Sequence, residues 1–323
     1  NMKLSLLLLL YALSIQAKDD SFSFRMPPVV PQAESYVCTS LQVNEATSIL
    51  GFDVLNEKHN AHHVLLFGCE DPGSDALLWD CGEMSSMTSS DEGEGRAPPC
   101  RGNPTILYAW AHNAPNLELP KDVAFKVGGD KSKLQHIVMQ VHYMEASDDE
   151  DESGVAIKFT DAPISKEAAT MLLVTGGEIQ PFSTESLETA CTIDEDVVIH
   201  PFAYRTHTHS LGVDVSGWVV NEKDGVDSWT LLGRRDPQLP QMFVPVANSS
   251  LAIHKGDVVT ARCIMVNEGA RTVSVGSRGE DEMCNLYVMY WAEGGPLKDN
   301  TCFSPGAPQY YWSSEAQLNH IPN

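Results

Sequence analysis

The amino-acid sequence predicts an all-β protein made of two β-sandwich or jelly-roll domains. Short runs rich in β-branched and aromatic residues recur along the chain, and turn residues separate them. No long stretch shows the apolar period of an amphipathic helix. With 323 residues, 42% of them apolar, the chain can form two cores of ordinary size. Regularly punctuated short strands are typical of sandwiches and jelly rolls.

The predicted strands fall into an early group and a late group. Each is dominated by valine, isoleucine, leucine and aromatic residues, which favour the extended backbone. In chain order the runs are 64–67, 106–110, 136–143, 213–220, 258–262 and 286–291. The stretch 160–168 follows the early group and is the predicted seam. We therefore predict domains at 22–163 and 164–312, and a tail at 313–323 with weak signals for structure.

The N-terminus has the features of a secretory signal peptide. Lys3 precedes an apolar run over residues 4–15, which has the length of a signal-peptide core and is too short to span a bilayer. Cleavage after Ala17 defines residues 1–17 as the signal peptide. No later stretch approaches the roughly 20 continuous apolar residues of a transmembrane helix, so we expect no membrane anchor. The expected location is the secretory pathway, in a granule lumen or outside the cell.

The cysteines also indicate an oxidising compartment. There are eight, and an even number behind a signal peptide indicates disulfides. None forms a Cys-x-x-Cys pair, which argues against a zinc ribbon. Spacing alone cannot choose among the roughly one hundred connectivities. Asn248 begins the N-glycosylation sequon of the chain, as expected for a secreted protein.

The charge of the chain restricts its partners. A formal net charge of −23 excludes a general nucleic-acid binder, which needs a basic footprint. The sharpest acidic run, residues 148–152, lacks the spaced glycine of a calcium loop. We expect it to be a solvated loop, and weak calcium binding is the alternative.

The histidines give the first indication of chemistry. His207 and His209 form His-x-His, and residues two apart in a strand face the same side. Both imidazoles can then point at one metal, and imidazole suits copper, zinc, iron and nickel. Taken alone, the pair is equally compatible with two histidines on a solvated strand face.

Two further features are weaker when taken alone. His62 and His63 are adjacent, so in a regular strand they face opposite ways. They can share a metal only at a strand end or a kink, or through different ring nitrogens. An ordinary structural pair is the alternative. Met283 lies between acidic residues and Cys284 rather than on an obvious apolar face. Its thioether would favour copper(I), whereas most methionines fill a core.

Four segments connect these residues to a known family. Residues 62–69, 140–143, 204–212 and 281–287 occur in an order that resembles the copper type II, ascorbate-dependent monooxygenases. The similarity is closest to the peptidylglycine α-hydroxylating branch, and it extends from about residue 24 to about residue 302. It implies two tandem jelly-roll-like antiparallel β-sandwich domains with a cleft between them. It also implies two copper ions, one in each domain.

The resemblance assigns the metal ligands residue by residue. One copper would be bound by three imidazoles, those of His62, His63 and His142. The other, where oxygen is activated, would be bound by a catalytic set of two imidazoles and a thioether, those of His207, His209 and Met283. The resemblance also implies four disulfides, namely Cys38–Cys81, Cys69–Cys100, Cys191–Cys302 and Cys263–Cys284.

A substrate clamp is predicted beside the second copper. Arg205 shares a strand face with His207, and a guanidinium binds a carboxylate through two parallel hydrogen bonds. A surface ion pair is the alternative for Arg205. By resemblance, Asn285 and Tyr287 complete the clamp. Three further residues match positions that line the cleft of the family, namely Tyr36, Gln140 and His200. Gln140 is alternatively a hydrogen-bonding neighbour of His142.

The implied activity is hydroxylation of the α-carbon of a C-terminal glycine in glycine-extended peptides, the first step of peptide amidation. Ascorbate is the implied reductant and O2 the co-substrate. No lyase domain is evident, so we expect a monofunctional, monomeric enzyme whose product passes to a separate lyase. One alternative is a phenethylamine β-hydroxylase of the same superfamily, which would not need Arg205. Another is a secreted copper-binding protein without turnover.

Overall fold

The fold is almost entirely β-structure, as predicted. The computed structural model describes residues 19–56, 61–82, 96–112, 114–276 and 280–322, so the predicted signal peptide 1–17 lies outside the described residues. The elements within these ranges are β1 (Asp19–Arg25), β2 (Ser35–Gln42), β3 (Thr47–Leu55), β4 (His63–Cys69), β5 (Trp79–Asp80), β6 (Thr105–Ala111), β7 (Leu117–Glu118), β8 (Val123–Val127), β9 (His136–Tyr143), β10 (Gly154–Thr160), β11 (Lys166–Thr175), β12 (Glu178–Ile179), β13 (Ser183–Thr192), β14 (Ile199–His207), β15 (Gly212–Lys223), β16 (Val226–Arg235), β17 (Val244–Pro245), β18 (Val258–Asn267), β19 (Val273–Ser274), β20 (Asn285–Glu293), β21 (Thr301–Ser304) and α1 (Trp312–Glu315).

The first half of the chain forms a sandwich of two sheets. One is the five-stranded sheet β5-β2-β9-β4-β6, and the other contains β1-β10-β3-β8. Phe52 of β3 stacks on Tyr108 of β6, with 4.9 Å between ring centroids, and both rings are fully buried. This contact between the sheets lies in a core that also includes Phe67 and Phe125. The aromatic and β-branched residues of the predicted strands therefore fill the space between two sheets.

The second half forms another sandwich. The antiparallel sheet β13-β18-β15-β16 covers one face of β11-β20-β14. At the contact, a Cβ added to Gly217 of β15 would lie 2.2 Å from a methyl carbon of Leu286 of β20. The absence of a side chain at Gly217 thus leaves room for Leu286 and a close approach of the two sheets.

One wall of β-strands serves both cores. Strands β11, β20 and β14 continue the large sheet of the first half, through a short parallel pairing of β8 with β11. In β20, Tyr287 and Met289 belong to the core of the first half, whereas Leu286 and Val288 belong to that of the second. Because side chains alternate along a strand, β20 is buried on both faces. The halves are thus joined by packing as well as by the connection between β10 and β11.

All eight cysteines form disulfides. Their pairs are Cys38–Cys81, Cys69–Cys100, Cys191–Cys302 and Cys263–Cys284, the four that the resemblance implies. Two lie in each half. The last one ties β18 to the residue that follows Met283.

Three other regions test sequence expectations. Asp151 is 1% exposed and accepts hydrogen bonds from the hydroxyl of Tyr143 and the N–H of Ser153, so the expectation of a solvated acidic run is wrong at this residue. The tail is anchored, because Trp312 is fully buried and its indole donates to the carbonyl of Ala261.

Asn248, the first residue of the predicted glycosylation sequon, is exposed. Within the described ranges, no helix is long and apolar enough to cross a membrane.

Candidate metal centre

Three histidines of the first half converge at one end of the five-stranded sheet. His63 begins β4 and pairs directly with His142 of β9. His62 precedes the strand, and its N–H donates to the carbonyl of His142 at 2.9 Å. The ring centroids of His62 and His63 are 4.2 Å apart. The centroid of the His142 ring lies 5.5 Å from that of His62 and 5.6 Å from that of His63. Potential ligand atoms of all three lie within 4.8 Å of one another. Adjacent histidines can converge because His62 lies outside the regular strand.

The surroundings keep these imidazoles neutral. Burial, followed by the neighbouring His62 and His142, lowers the pKa of His63 to about 3. Burial likewise lowers the pKa of His62 and of His142, against the opposing effect of Glu34 on both. Nδ1 of His62 and Nδ1 of His142 are buried and have no hydrogen-bond partner among the described residues. Neutral rings with unsatisfied nitrogens fit a metal that takes imidazole ligands.

A second group forms where β14 ends and β20 begins. His207 is the last residue of β14, and His209 lies in the turn beyond it. Their ring centroids are 5.5 Å apart. His209 is oriented by a 2.9 Å hydrogen bond between Nδ1 and the carbonyl of Asp281, in the segment that carries Met283. Met283 is buried, and the amide nitrogen of Asn285 lies 3.8 Å from its sulfur.

Gln241, which the sequence analysis did not single out, fixes the ring of His207. Its Oε1 hydrogen-bonds Nδ1 of His207, and its amide nitrogen donates to the carbonyl of Thr208 at 3.0 Å. Nε2 of His207 is then buried without a partner among the described residues. Burial, followed by the charge of Arg205, keeps the pKa of His207 well below its ordinary value. The free nitrogen therefore carries the lone pair that a metal needs.

Arg205 lies two residues before His207 and is 5% exposed. Register places Arg205 opposite Tyr287 and His207 opposite Asn285 on the neighbouring strand β20. The guanidinium carbon lies 5.2 Å from the centre of the Tyr287 ring. Nε donates to the carbonyl of Gln241 at 2.8 Å, whereas NH1 is buried with no partner among the described residues. Burial lowers the pKa of Arg205, yet a guanidinium remains cationic at neutral pH.

His63 and His142 of the first group, and His207 and His209 of the second, border one cavity of about 520 Å³ between the two halves. Residues of both halves line it, namely Glu34, Tyr36, His63, Leu65, Ala109, Trp110, Gln140, His142, Met144, Arg205, His207, Thr208, His209, Ser210, Gln238 and Gln241. This cavity corresponds in position to the cleft between the domains that the resemblance implies.

Of the three residues expected along the cleft, two reach it. Tyr36 stacks on His142 with 4.2 Å between ring centroids, and buried Gln140 donates to the carbonyl of Gly82 at 2.8 Å. His200 lies elsewhere, because it occupies the opposite end of β14 from His207. It stacks on Trp291 and borders a separate hollow.

Two family models match the chain. The N-terminal domain of copper type II ascorbate-dependent monooxygenases matches residues 22–150, and the C-terminal domain of the same family matches residues 166–315. The chain belongs to the copper type II, ascorbate-dependent monooxygenase family. It is therefore a copper-dependent oxidoreductase that uses ascorbate and O2.

Curated relatives agree with this family. Peptidylglycine alpha-amidating monooxygenase of Rattus norvegicus is 36% identical over 315 residues, which cover 94% of this chain and 30% of the relative. Peptidyl-glycine alpha-amidating monooxygenase B of Xenopus laevis is 35% identical over 306 residues, covering 91% and 33%. The chain thus spans about a third of the length of these relatives. Among solved structures, the major capsid protein P2 of bacteriophage PM2 aligns over 86% of this chain and 98% of its own. The TM-score is 0.34 and the sequence identity 9%, so this likeness supports no conclusion about the present chain.

The donor atoms fit the family's metal. One group offers three imidazoles, and the other offers two imidazoles and a thioether. Thioether is a soft ligand that suits copper(I), and zinc would supply no redox chemistry. Within the part of the chain that the structure describes, the buried Nδ1 of His62 and Nε2 of His207 have no hydrogen-bond partner, so both groups are suited to a copper-dependent monooxygenase.

Proposed function

We propose that this chain hydroxylates the α-carbon of a C-terminal glycine in peptides, the first step of peptide amidation. Copper would be held at one site by His62, His63 and His142, and at the other by His207, His209 and Met283. The glycine-extended peptide would bind in the cavity between them. A separate lyase would convert the hydroxylated product to the amide.

The buried guanidinium of Arg205 is the observation that carries this proposal. A cation that is 5% exposed is costly unless an anion or several acceptors satisfy it. Its Nε is satisfied by Gln241, but NH1 is buried without a partner among the described residues. A carboxylate entering the cavity would supply the missing acceptor. A C-terminal glycine places such a carboxylate one bond from the carbon that reacts.

Two neighbouring residues would support the guanidinium that binds this carboxylate. Asn285 donates its amide N–H to the hydroxyl of Tyr287 at 3.2 Å, and the ring of Tyr287 lies beneath Arg205. These contacts hold the guanidinium on the wall between the halves. Because Arg205 and His207 share one face of β14, a carboxylate bound to Arg205 would place its α-carbon beside the group that contains Met283. Positioning of this kind is a large part of enzymatic rate enhancement.

Copper, when bound, supplies the one-electron redox chemistry and the oxygen activation that no side chain provides. The overall reaction breaks one C–H bond of the glycine and forms one C–O bond. One atom of O2 enters the peptide, and the other leaves as water with two electrons from ascorbate and two protons. The protein would contribute the clamp, the neutral imidazoles and a cavity that receives the peptide.

A product assay tests the proposal. The copper-loaded protein is incubated with a short glycine-extended peptide, ascorbate and isotopically labelled O2, and the peptide is analysed by mass spectrometry. The same peptide ending in a glycine amide, which lacks the carboxylate, is the matched control substrate. We expect one labelled oxygen atom in the acid and little in the amide. The expected product is the hydroxyglycine peptide, whereas amide formation by this chain alone would contradict the separate lyase.

The same assay separates the alternatives. Labelled oxygen in tyramine, and none in the peptide, would indicate a phenethylamine β-hydroxylase. Two bound copper ions without oxygen consumption on either substrate would indicate a copper-binding protein without turnover. Either result would overturn the proposed function.

A further inference from the structure

Glu282 is a buried carboxylate that faces main-chain donors rather than a cation. It is 1% exposed and immediately precedes Met283. One carboxylate oxygen accepts hydrogen bonds from the N–H groups of His209 and of Met283, the latter at 2.8 Å. The other accepts from the N–H of Leu211 at 2.7 Å. Three main-chain N–H groups shared between its two oxygens hold this side chain firmly in place.

These donors belong to two segments that are distant in sequence. His209 and Leu211 lie in the turn after β14, and Met283 lies before β20. The side chain of Glu282 therefore connects the turn that carries His209 to the segment that carries the thioether of Met283. The hydrogen bond from Nδ1 of His209 to the carbonyl of Asp281 adds a further connection.

The segment around Glu282 is itself fixed. Its N–H donates to the carbonyl of Ser274 and its carbonyl accepts from the N–H of Gly276, both at 3.0 Å. The Cys263–Cys284 disulfide begins two residues further along the chain. The backbone of Glu282 is thus held in place, and its carboxylate contacts the turn that follows His207. The carbonyl groups of Thr208 and His209 in this turn accept hydrogen bonds from Gln241 and Gln238, whereas the N–H groups of His209 and Leu211 donate to Glu282.

We propose that Glu282 is a positioning residue that sets the placement of His209 relative to Met283, and thereby allows one copper ion to be bound by both. This inference rests on the copper ligands assigned under the proposed function. Glu282 contributes no metal ligand of its own. Its effect arises because residues that orient metal ligands strongly influence metal affinity.

Two substitutions separate the hydrogen-bond acceptor capacity of this carboxylate from its reach. Glu282→Gln keeps the size but replaces one acceptor oxygen with an NH2 group, which cannot accept a hydrogen bond from a main-chain N–H. Glu282→Asp keeps the charge but shortens the side chain by one methylene. Glu195→Gln is the matched control, because Glu195 also accepts two main-chain N–H groups, those of Lys298 and Asp299, and lies away from the cavity.

The experiment measures copper directly. Copper binding to the full chain is followed by equilibrium dialysis, and X-ray absorption of the copper(I) form reports the copper–sulfur contribution of Met283. In Glu282→Gln we expect the affinity of the site containing Met283 to fall by about 10–100-fold and the sulfur contribution to disappear. The three-histidine site should bind as before, and Glu195→Gln should match the wild type.

Each other outcome has a distinct meaning. A Glu282→Gln protein that keeps both the affinity and the sulfur contribution overturns the positioning role. Wild-type protein without a sulfur contribution overturns the assignment of Met283 instead, and with it the basis of the proposal. Copper binding at the three-histidine site shows that a variant is folded. Should the Gln variant not fold, Glu282→Asp is measured in the same way, and wild-type behaviour of that variant overturns the proposal.

Discussion

The hydroxyl of Thr170 donates a 2.6 Å hydrogen bond to the carbonyl of Ile106. Thr170 belongs to β11 in the second half, and Ile106 belongs to β6 in the first. The bond is buried and links β11 of the shared wall to the five-stranded sheet of the first half. It shows that the contact between the halves includes specific polar pairing as well as apolar packing.

Because the wall is buried on both faces, we expect the copper-free protein to unfold in a single transition. Thr170→Val should lower the free energy of unfolding by about 1–3 kcal/mol, since the buried carbonyl of Ile106 loses its donor. Denaturant unfolding followed by fluorescence and circular dichroism measures this. Thr301→Val, at an exposed position of β21, is the control and should have little effect. Two separated transitions would contradict the shared wall.

Arg205→Lys tests the clamp while keeping the positive charge. Lysine cannot reproduce the planar fork of a guanidinium, so the substrate carboxylate would lose one of two parallel hydrogen bonds. We expect the KM for a glycine-extended peptide to rise by roughly 10-fold or more, and copper binding to stay at two ions. Steady-state kinetics with ascorbate in excess measures the change. Arg101→Lys, in an exposed ion pair with Asp75, should behave as the wild type, and an unchanged KM in Arg205→Lys would exclude the clamp.

Gln241→Ala removes the partner of Nδ1 of His207. The imidazole would then be free to rotate or to change tautomer, so we expect copper affinity at the site with Met283 to fall by about 10–100-fold. Copper titration with a competing chelator measures it. Gln238→Ala is an informative comparison, because the side-chain amide of Gln238 donates to the main-chain carbonyls of His209 and Gly212 rather than to an imidazole. Equal losses in both variants would mean that the turn, rather than the ring, is what matters.

Acid should destabilise the copper-free protein through its buried histidines. The pKa of His63 is about 3 in the folded state and 6.5 ordinarily, so between these pH values the unfolded chain binds more protons. The free energy of unfolding must therefore fall as pH is lowered from 6.5 towards 3. Denaturant unfolding at pH 7 and pH 5 measures this. His63→Gln should weaken the dependence and exposed His320→Gln should not; identical slopes would remove His63 as the cause.

The sequence predicted the strands well because their composition reflects burial. All six predicted runs fall within or largely within observed strands, and the run 286–291 is apolar throughout since β20 faces two cores. The sequence could not predict that sharing. Two isolated sandwiches would have produced equally apolar strands, and only the alternation of Tyr287 and Leu286 between cores distinguishes the two arrangements.

The candidate site was predictable where local geometry sufficed. Arg205 and His207 share a face because they lie two apart in β14, as expected. His209 lies beyond the end of that strand, so its orientation depends on the carbonyl of Asp281 instead. Gln241 and Glu282 were missed as supports, since each acts across more than thirty residues of sequence and belongs to no periodic pattern.

The shared wall makes the chain indivisible. Neither half could be transplanted or produced alone without exposing an apolar face that its counterpart now covers. The same strand, Asn285–Glu293, also presents two residues of the proposed clamp. Selection for solubility and selection for turnover therefore act on the same short stretch. A substitution in this strand is expected to affect folding and chemistry together.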